Sequence, residues 1–255
     1  MNLKCCAATA IMLSSISYAH AAEQLVEPAA VAALEQMGQA LSGLESFHLS
    51  AETEMEVVLD SDQKLTIGGK IMYDVRRPDG LRVALDTDVL QREFYYDGQT
   101  AIYVSPDQGY YAVIPEAPDS IHELLELASQ KYGLNFPAAD LFIWGTEHEP
   151  VDQITEGFLV GPATIAGQSV NHWAYRTESQ DWEVWLQAEG DPLPLRISYV
   201  DRTDPALPRF SATYEWTPEA TIDADSFAYM PSDDMQLIEF AQSDLAATAN
   251  EGEDE

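Results

Sequence analysis

Apolar residues recur at Ala30, Leu34, Met37, Leu41 and Leu44 just after Pro28, a spacing that predicts an N-terminal helix with one dry stripe. From Phe47 the period changes to two. Phe47, Leu49, Ala51, Met55, Val57 and Leu59 alternate with His48, Ser50, Glu52, Glu54 and Glu56, which describes a strand with one face buried and one in water. Strand-like runs follow at 65–75, 81–85, 92–96, 100–104 and 110–114, broken by turn signals such as Pro78-Asp79-Gly80 and Asp97-Gly98. The short gaps between them predict antiparallel meanders, because a parallel pair needs a crossover of roughly a dozen residues.

At Pro118-Asp119-Ser120 the period returns to that of a helix. Ser120 and Glu123 form a capping-box pair, and Ile121, Leu124, Leu125, Ala128 and Tyr132 follow helical spacing until Gly133. A short helical stretch is expected at 137–142. Strands resume at 157–165, 169–177, 182–187, 195–201 and 210–216, with a last candidate at 235–240. This order predicts an α+β, mostly antiparallel fold: a strongly curved half-barrel sheet of about 11 strands whose concave face the helices cover. A single domain over 22–245 is expected, since each half alone would bury one face of a small sheet.

The ends of the chain read differently. Lys4, an apolar run from Ala7 to Ile16 and the small-x-small site Ala19-His20-Ala21 make residues 1–21 a secretory signal peptide. Export of a Gram-negative protein this way places it in the periplasm. No later segment approaches about 18 uninterrupted apolar residues, so no integral membrane segment is expected in the mature chain. Residues 246–255 are polar and acidic without apolar period, and read as a disordered tail.

Both cysteines, Cys5 and Cys6, fall in the signal, which leaves the mature chain no disulfide, thiol nucleophile or cysteine metal site. The whole chain carries 12 basic and 44 acidic residues for a net charge of −32, and loss of Lys4 makes the mature protein one unit more negative. Such a field repels nucleic acid and anionic headgroups. It suits solubility, or the docking of a basic envelope protein partner.

Catalytic and metal signatures are not found. His48, His122, His148 and His172 are dispersed, without a His-Glu-x-x-His pair. Gly167-Gln168-Ser169-Val170-Asn171 lacks the final glycine of a nucleophile elbow, and Asp223-Ala224-Asp225-Ser226 lacks the glycine and distal glutamate of a calcium loop. No phosphate loop or dinucleotide fingerprint occurs. The expectation is a protein without cofactor or metal that is not an enzyme.

Several motifs carry a resemblance. Ser46-Phe47-His48, then Arg76-Arg77-Pro78-Asp79-Gly80-Leu81-Arg82, then Tyr96-Asp97-Gly98, and finally Phe227-Ala228-Tyr229-Met230-Pro231 before Met235-Gln236-Leu237-Ile238 resemble the outer-membrane lipoprotein carriers LolA and LolB. Pro137-Ala138-Ala139-Asp140-Leu141, His172-Trp173-Ala174, Trp182-Glu183-Val184-Trp185 and Pro192-Leu193-Pro194 are similar to an uncharacterised family of predicted periplasmic proteins with that fold. The resemblance implies a half-barrel that holds acyl chains in an apolar cavity under a helical lid. It also implies that Arg77, the arginine of the Arg-Pro motif, hydrogen-bonds the lid closed.

Arg76, Arg77, Arg82 and Arg92 fall within seventeen residues of an otherwise acidic chain. They suit either a latch to helix carbonyls or an anion grip, or else pairing with Asp74, Asp79, Asp86 or Glu93 on adjacent strands. Strand aromatics fill a core or line a pocket. The expected ligand-binding or latch residues are Arg77, Tyr73, Phe94, Tyr96, Tyr103, Leu124, Leu125, Trp182 and Trp185. The expected partner is a lipid or lipoprotein acyl chain held by a monomer. The alternative is a structural envelope module with a self-filled core and an acidic docking face.

Overall fold

The computed structural model of the chain describes residues 25–114 and 116–240, so the expected signal peptide and acidic tail lie outside the described residues. Helix α1 (Pro28–Ser42) opens the fold. Six strands follow: β1 (Ser46–Val58), β2 (Lys64–Arg76), β3 (Gly80–Thr87), β4 (Gln91–Tyr96), β5 (Ala101–Ser105) and β6 (Tyr110–Ile114). After α2 (Ile121–Tyr132) come β7 (Glu156–Ile165), β8 (Gln168–Arg176), β9 (Gln180–Gln187), β10 (Pro194–Asp201), β11 (Arg209–Pro218) and β12 (Gln236–Leu237).

All twelve strands join one open, curved sheet in the order β12-β6-β5-β4-β3-β2-β1-β11-β10-β9-β8-β7. Each half is a meander, and the halves meet where β1 pairs antiparallel with β11. The expected last strand over 235–240 shrinks to Gln236–Leu237, and it runs parallel to β6. Its long return from β11 brings it back to the far edge from the same end as β6, which a hairpin could not do.

Alternation places the core on one face. A continuous row crosses the sheet through Trp216, Leu49, Tyr73, Val83, Phe94, Tyr103 and Ala112, each paired with the next on the adjoining strand. The opposite face carries polar pairs, among them His48 Nδ1 to Asp74 Oδ1 at 2.6 Å and Arg82 to Asp74 at 3.4 Å.

The connection over 116–155 runs from β6 near one edge to β7 at the other, so it has to cross the sheet. Crossing on the apolar face buries that face, which accounts for the cover expected from the sequence. Within it, Ser120 Oγ accepts from the Glu123 amide at 3.3 Å, and left-handed Gly133 (φ 66°) ends α2. The stretch expected at 137–142 is a 3-10 helix over Ala139–Phe142, and a second one, Pro150–Gln153, follows it. Helix α1 adds its buried stripe of Ala30, Ala33, Leu34, Met37 and Leu41.

Three tyrosines fix this cover to the sheet. Tyr73 Oη donates to the Pro137 carbonyl at 2.5 Å, Tyr96 Oη to that of Pro118, and Tyr175 Oη to that of Ala30 at 2.9 Å. Each joins a strand to a different covering segment and gives a buried phenol a hydrogen-bond acceptor.

Candidate functional site

The cover fills one part of the concave face and leaves another hollow. Beneath α2 and the 3-10 helix Ala139–Phe142, the side chains of Tyr73, Phe94, Tyr96 and Leu124 are fully buried. Phe136 lies 5.0 Å from Phe94 and Phe142 lies 5.7 Å from Tyr73, ring centre to ring centre, so this half is packed solid.

Towards β9–β11 the packing opens into a cavity of about 870 Å³. Strand residues Trp182, Ile197, Tyr199 and Phe210, with Met55 of β1, form one wall, and Leu125, Phe136, Phe142, Ile143 and Trp144 form the other. Ile197, Phe210, Phe142 and Trp144 are buried, whereas Glu126, Gln130, His148, Gln153, Ser179 and Gln180 are exposed polar members of the lining. An apolar interior with a polar rim and this volume falls within the range of small-molecule sites. At the rim His122 of α2 stacks on His148 with ring centres 4.9 Å apart.

The sequence-predicted residues separate under this geometry. Leu125 and Trp182 line the cavity. Leu124 is one helical position from Leu125 and points into the core instead, 0% exposed. Tyr73, Phe94 and Tyr96 belong to the packed half, and Tyr103 meets the Phe240 ring at 6.1 Å, with Phe240 also 4.7 Å from Tyr132 of α2. Trp185 does not share the concave face. It lies three residues from Trp182 along β9, so the pleat turns it outward, where it stacks on His172 at 4.1 Å and under the Arg196 guanidinium at 5.3 Å. Trp182 instead stacks on Tyr175 at 4.5 Å and faces Trp144 at 5.9 Å.

The arginine cluster divides as well. Arg76 pairs with Asp79 at 3.4 Å, Arg82 with Asp74 at 3.4 Å, and Arg92 with Asp107 at 2.7 Å. Arg77 has no carboxylate within 4.0 Å among the described residues. Its Nε donates to the Leu44 carbonyl at 3.0 Å, its amide donates to Glu45 at 2.7 Å, and its guanidinium lies 5.6 Å from the Phe142 ring centre. Burial pushes its pKa down. One cation thus touches the end of α1 and the roof of the cavity together.

Sequence reasoning missed Phe136, Phe142, Ile143 and Trp144, which stand in a segment without long regular periodicity. Tyr199 was legible as a strand aromatic, and Phe210 and Ile197 as strand positions. Among the described residues no group of three or more His, Cys, Asp or Glu stands close enough to hold a metal ion, and no helix is long and apolar enough to cross a membrane.

The open, one-sided β sheet with a helical cover on its concave face is a fold that this chain shares with the solved lipoprotein LppX. The chain matches the lipoprotein LppX of Mycobacterium tuberculosis at 17% identity and TM-score 0.50, over 77% of this chain and 100% of that one. It also matches LprF of Mycobacterium bovis (12% identity, TM-score 0.47, 78% of this chain and 97% of that one). A LolA superfamily protein of Nitrosomonas europaea matches at 9% identity and TM-score 0.36, over 78% of this chain and 97% of that one. The chain belongs to the predicted periplasmic protein family DUF2092, whose family model matches residues 30–241. The periplasm is accordingly its compartment. A search of curated proteins finds no match.

Proposed function

We propose that this protein is a periplasmic carrier that binds a hydrophobic ligand, a lipid or a lipoprotein acyl chain, without catalysing a reaction. The observation that carries the reading is the cavity of about 870 Å³ between β9–β11 and the cover, apolar within and polar at its rim. Burying an acyl chain of about sixteen carbons gains on the order of 12 kcal/mol before ordering costs, at about 0.8 kcal/mol per CH₂. Shape and apolar surface therefore suffice for retention. The likeness to LppX, described as a lipoprotein, supports the fold and leaves the ligand to the cavity's own chemistry.

The alternative of an envelope module with a self-filled core describes the half around Tyr73, Phe94 and Leu124, where side chains leave no space. It does not account for the hollow beside Trp182. Native mass spectrometry of the protein purified from its own periplasm tests the proposal. A bound lipid or acylated peptide is expected, released when Ile197→Trp fills the cavity. Repeated isolation without any bound species, together with failure to take up an apolar fluorophore, would overturn it.

A further inference from the structure

The cavity's rim also constrains the polar end of what enters it. Glu126 is its one carboxylate among the described lining residues, beside His122 and His148, and the rest of the polar lining consists of amides and hydroxyls such as Gln130, Gln153, Ser179 and Gln180. No lysine or arginine belongs to that lining among the described residues. Carboxylates also attend both histidines: Glu126 follows His122 by one turn of α2, and Glu147 Oε1 lies 3.7 Å from His148 Nε2.

Among the described residues, the basic side chains outside the lining have partners of their own. Apart from Lys4, every lysine and arginine lies among the described residues, and eight of these stand within 4.0 Å of a carboxylate oxygen. Arg202 lies beside the rim, its amide donating to the Ser179 carbonyl at 2.8 Å. Its Nη1 donates to the Thr177 carbonyl at 3.0 Å and its Nε lies 3.6 Å from Asp181, so its charge is already opposed. Arg77 meets the Phe142 ring but gives its Nε to Leu44. Arg196 lies over Trp185 on the outer face, and Lys131 over the ring of its neighbour Tyr132.

We propose that the cavity accepts amphiphiles whose polar end bears no net negative charge and discriminates against anionic ones. This rests on the ligand-binding reading above and narrows it. An anionic headgroup at the rim would lose part of its hydration and meet Glu126 within the field of a chain of net charge −32. A neutral or zwitterionic headgroup keeps hydrogen bonds to the amide and hydroxyl rim at no such cost.

The test titrates the delipidated mature protein with three single-chain amphiphiles of one acyl length, a monoacylglycerol, a lysophosphatidylcholine and a lysophosphatidylglycerol. Tryptophan fluorescence reports binding through Trp144 and Trp182. The first two are expected to bind at least about tenfold more tightly than the third, a factor that corresponds to about 1.4 kcal/mol. Glu126→Lys is expected to move the anionic-to-neutral affinity ratio towards unity. Equal or tighter binding of the lysophosphatidylglycerol, or a ratio unmoved by Glu126→Lys, overturns the headgroup proposal. If none of the three binds and a long-chain alkanol also fails, the carrier reading itself falls.

Discussion

Arg77 Nε donates to the main-chain carbonyl of Leu44 across 3.0 Å, just past the last turn of α1, while the same guanidinium meets the Phe142 ring that lines the cavity. Leu44 lies just beyond the Gly43 cap, so the bond ties the turn that leaves α1 to the Arg77-Pro78 turn. A charge-assisted bond of this kind contributes about 1.5–3 kcal/mol. Arg77→Leu is therefore expected to lower stability in urea by that order and to speed ligand release. Arg77→Lys should restore part of the stability but less of the retention, because a point charge cannot reach a carbonyl and lie along a ring as the flat guanidinium does. Loss of stability with an unchanged release rate would make Arg77 a structural residue and no latch.

Gly38, in the middle of α1, lets the helix touch the loop that carries Trp144. A Cβ there would sit 2.6 Å from the Gly145 nitrogen and 3.0 Å from its Cα, both backbone atoms that cannot swing aside. By helix propensity alone, Gly38→Ala should stabilise α1 by about 1 kcal/mol. The contact reverses the sign: a net loss of about 1–3 kcal/mol is expected from overpacking, read as a lower urea midpoint. Because the loop that must yield holds Trp144, the variant should also weaken ligand binding. A stabilised Gly38→Ala protein would show that the helix and loop are not held this close.

The architecture was readable from residues whose environments repeat. Phe47, Leu49 and Ala51 alternate because each points into the same core, and Asp97-Gly98 forms its expected turn, with Asp97 Oδ1 accepting from the Thr100 amide at 2.8 Å. The cavity was less readable because its walls come from opposite ends of that order. Trp182 and Phe210 lie on strands with a clear period, but Phe136 and Trp144 lie where the chain crosses the sheet in irregular turns, and nothing local announces that they face each other. Trp185 shows the other side of this: its parity along β9 already sets it against Trp182, and only position on the pleat separates two otherwise equivalent aromatics.

Three tyrosines, of which Tyr96 and Tyr175 hold the cover, predict how the fold responds to base. Burial, reinforced by Asp79 and Asp119 nearby, pushes the Tyr96 phenol up to about 12, burial and Glu93 push Tyr95 to about 12, and burial raises Tyr175 further. In the unfolded chain a tyrosine ionises near 10. Between these values the unfolded chain has released protons that the folded one still holds, so stability falls as pH rises. The contribution is complete below about pH 10 and is lost as the pH climbs through the folded-state values, by at most about 1.4 kcal/mol per pH unit for each tyrosine. Urea midpoints at successive pH values should therefore decline from about pH 10 upward. Tyr175→Phe should lower stability at neutral pH, through the lost bond to Ala30, and flatten the alkaline decline. Undiminished alkaline dependence in Tyr175→Phe would show that the Tyr175 phenol ionises as readily in the folded chain as in the unfolded one, and would overturn the assignment of the alkaline decline to this buried phenol.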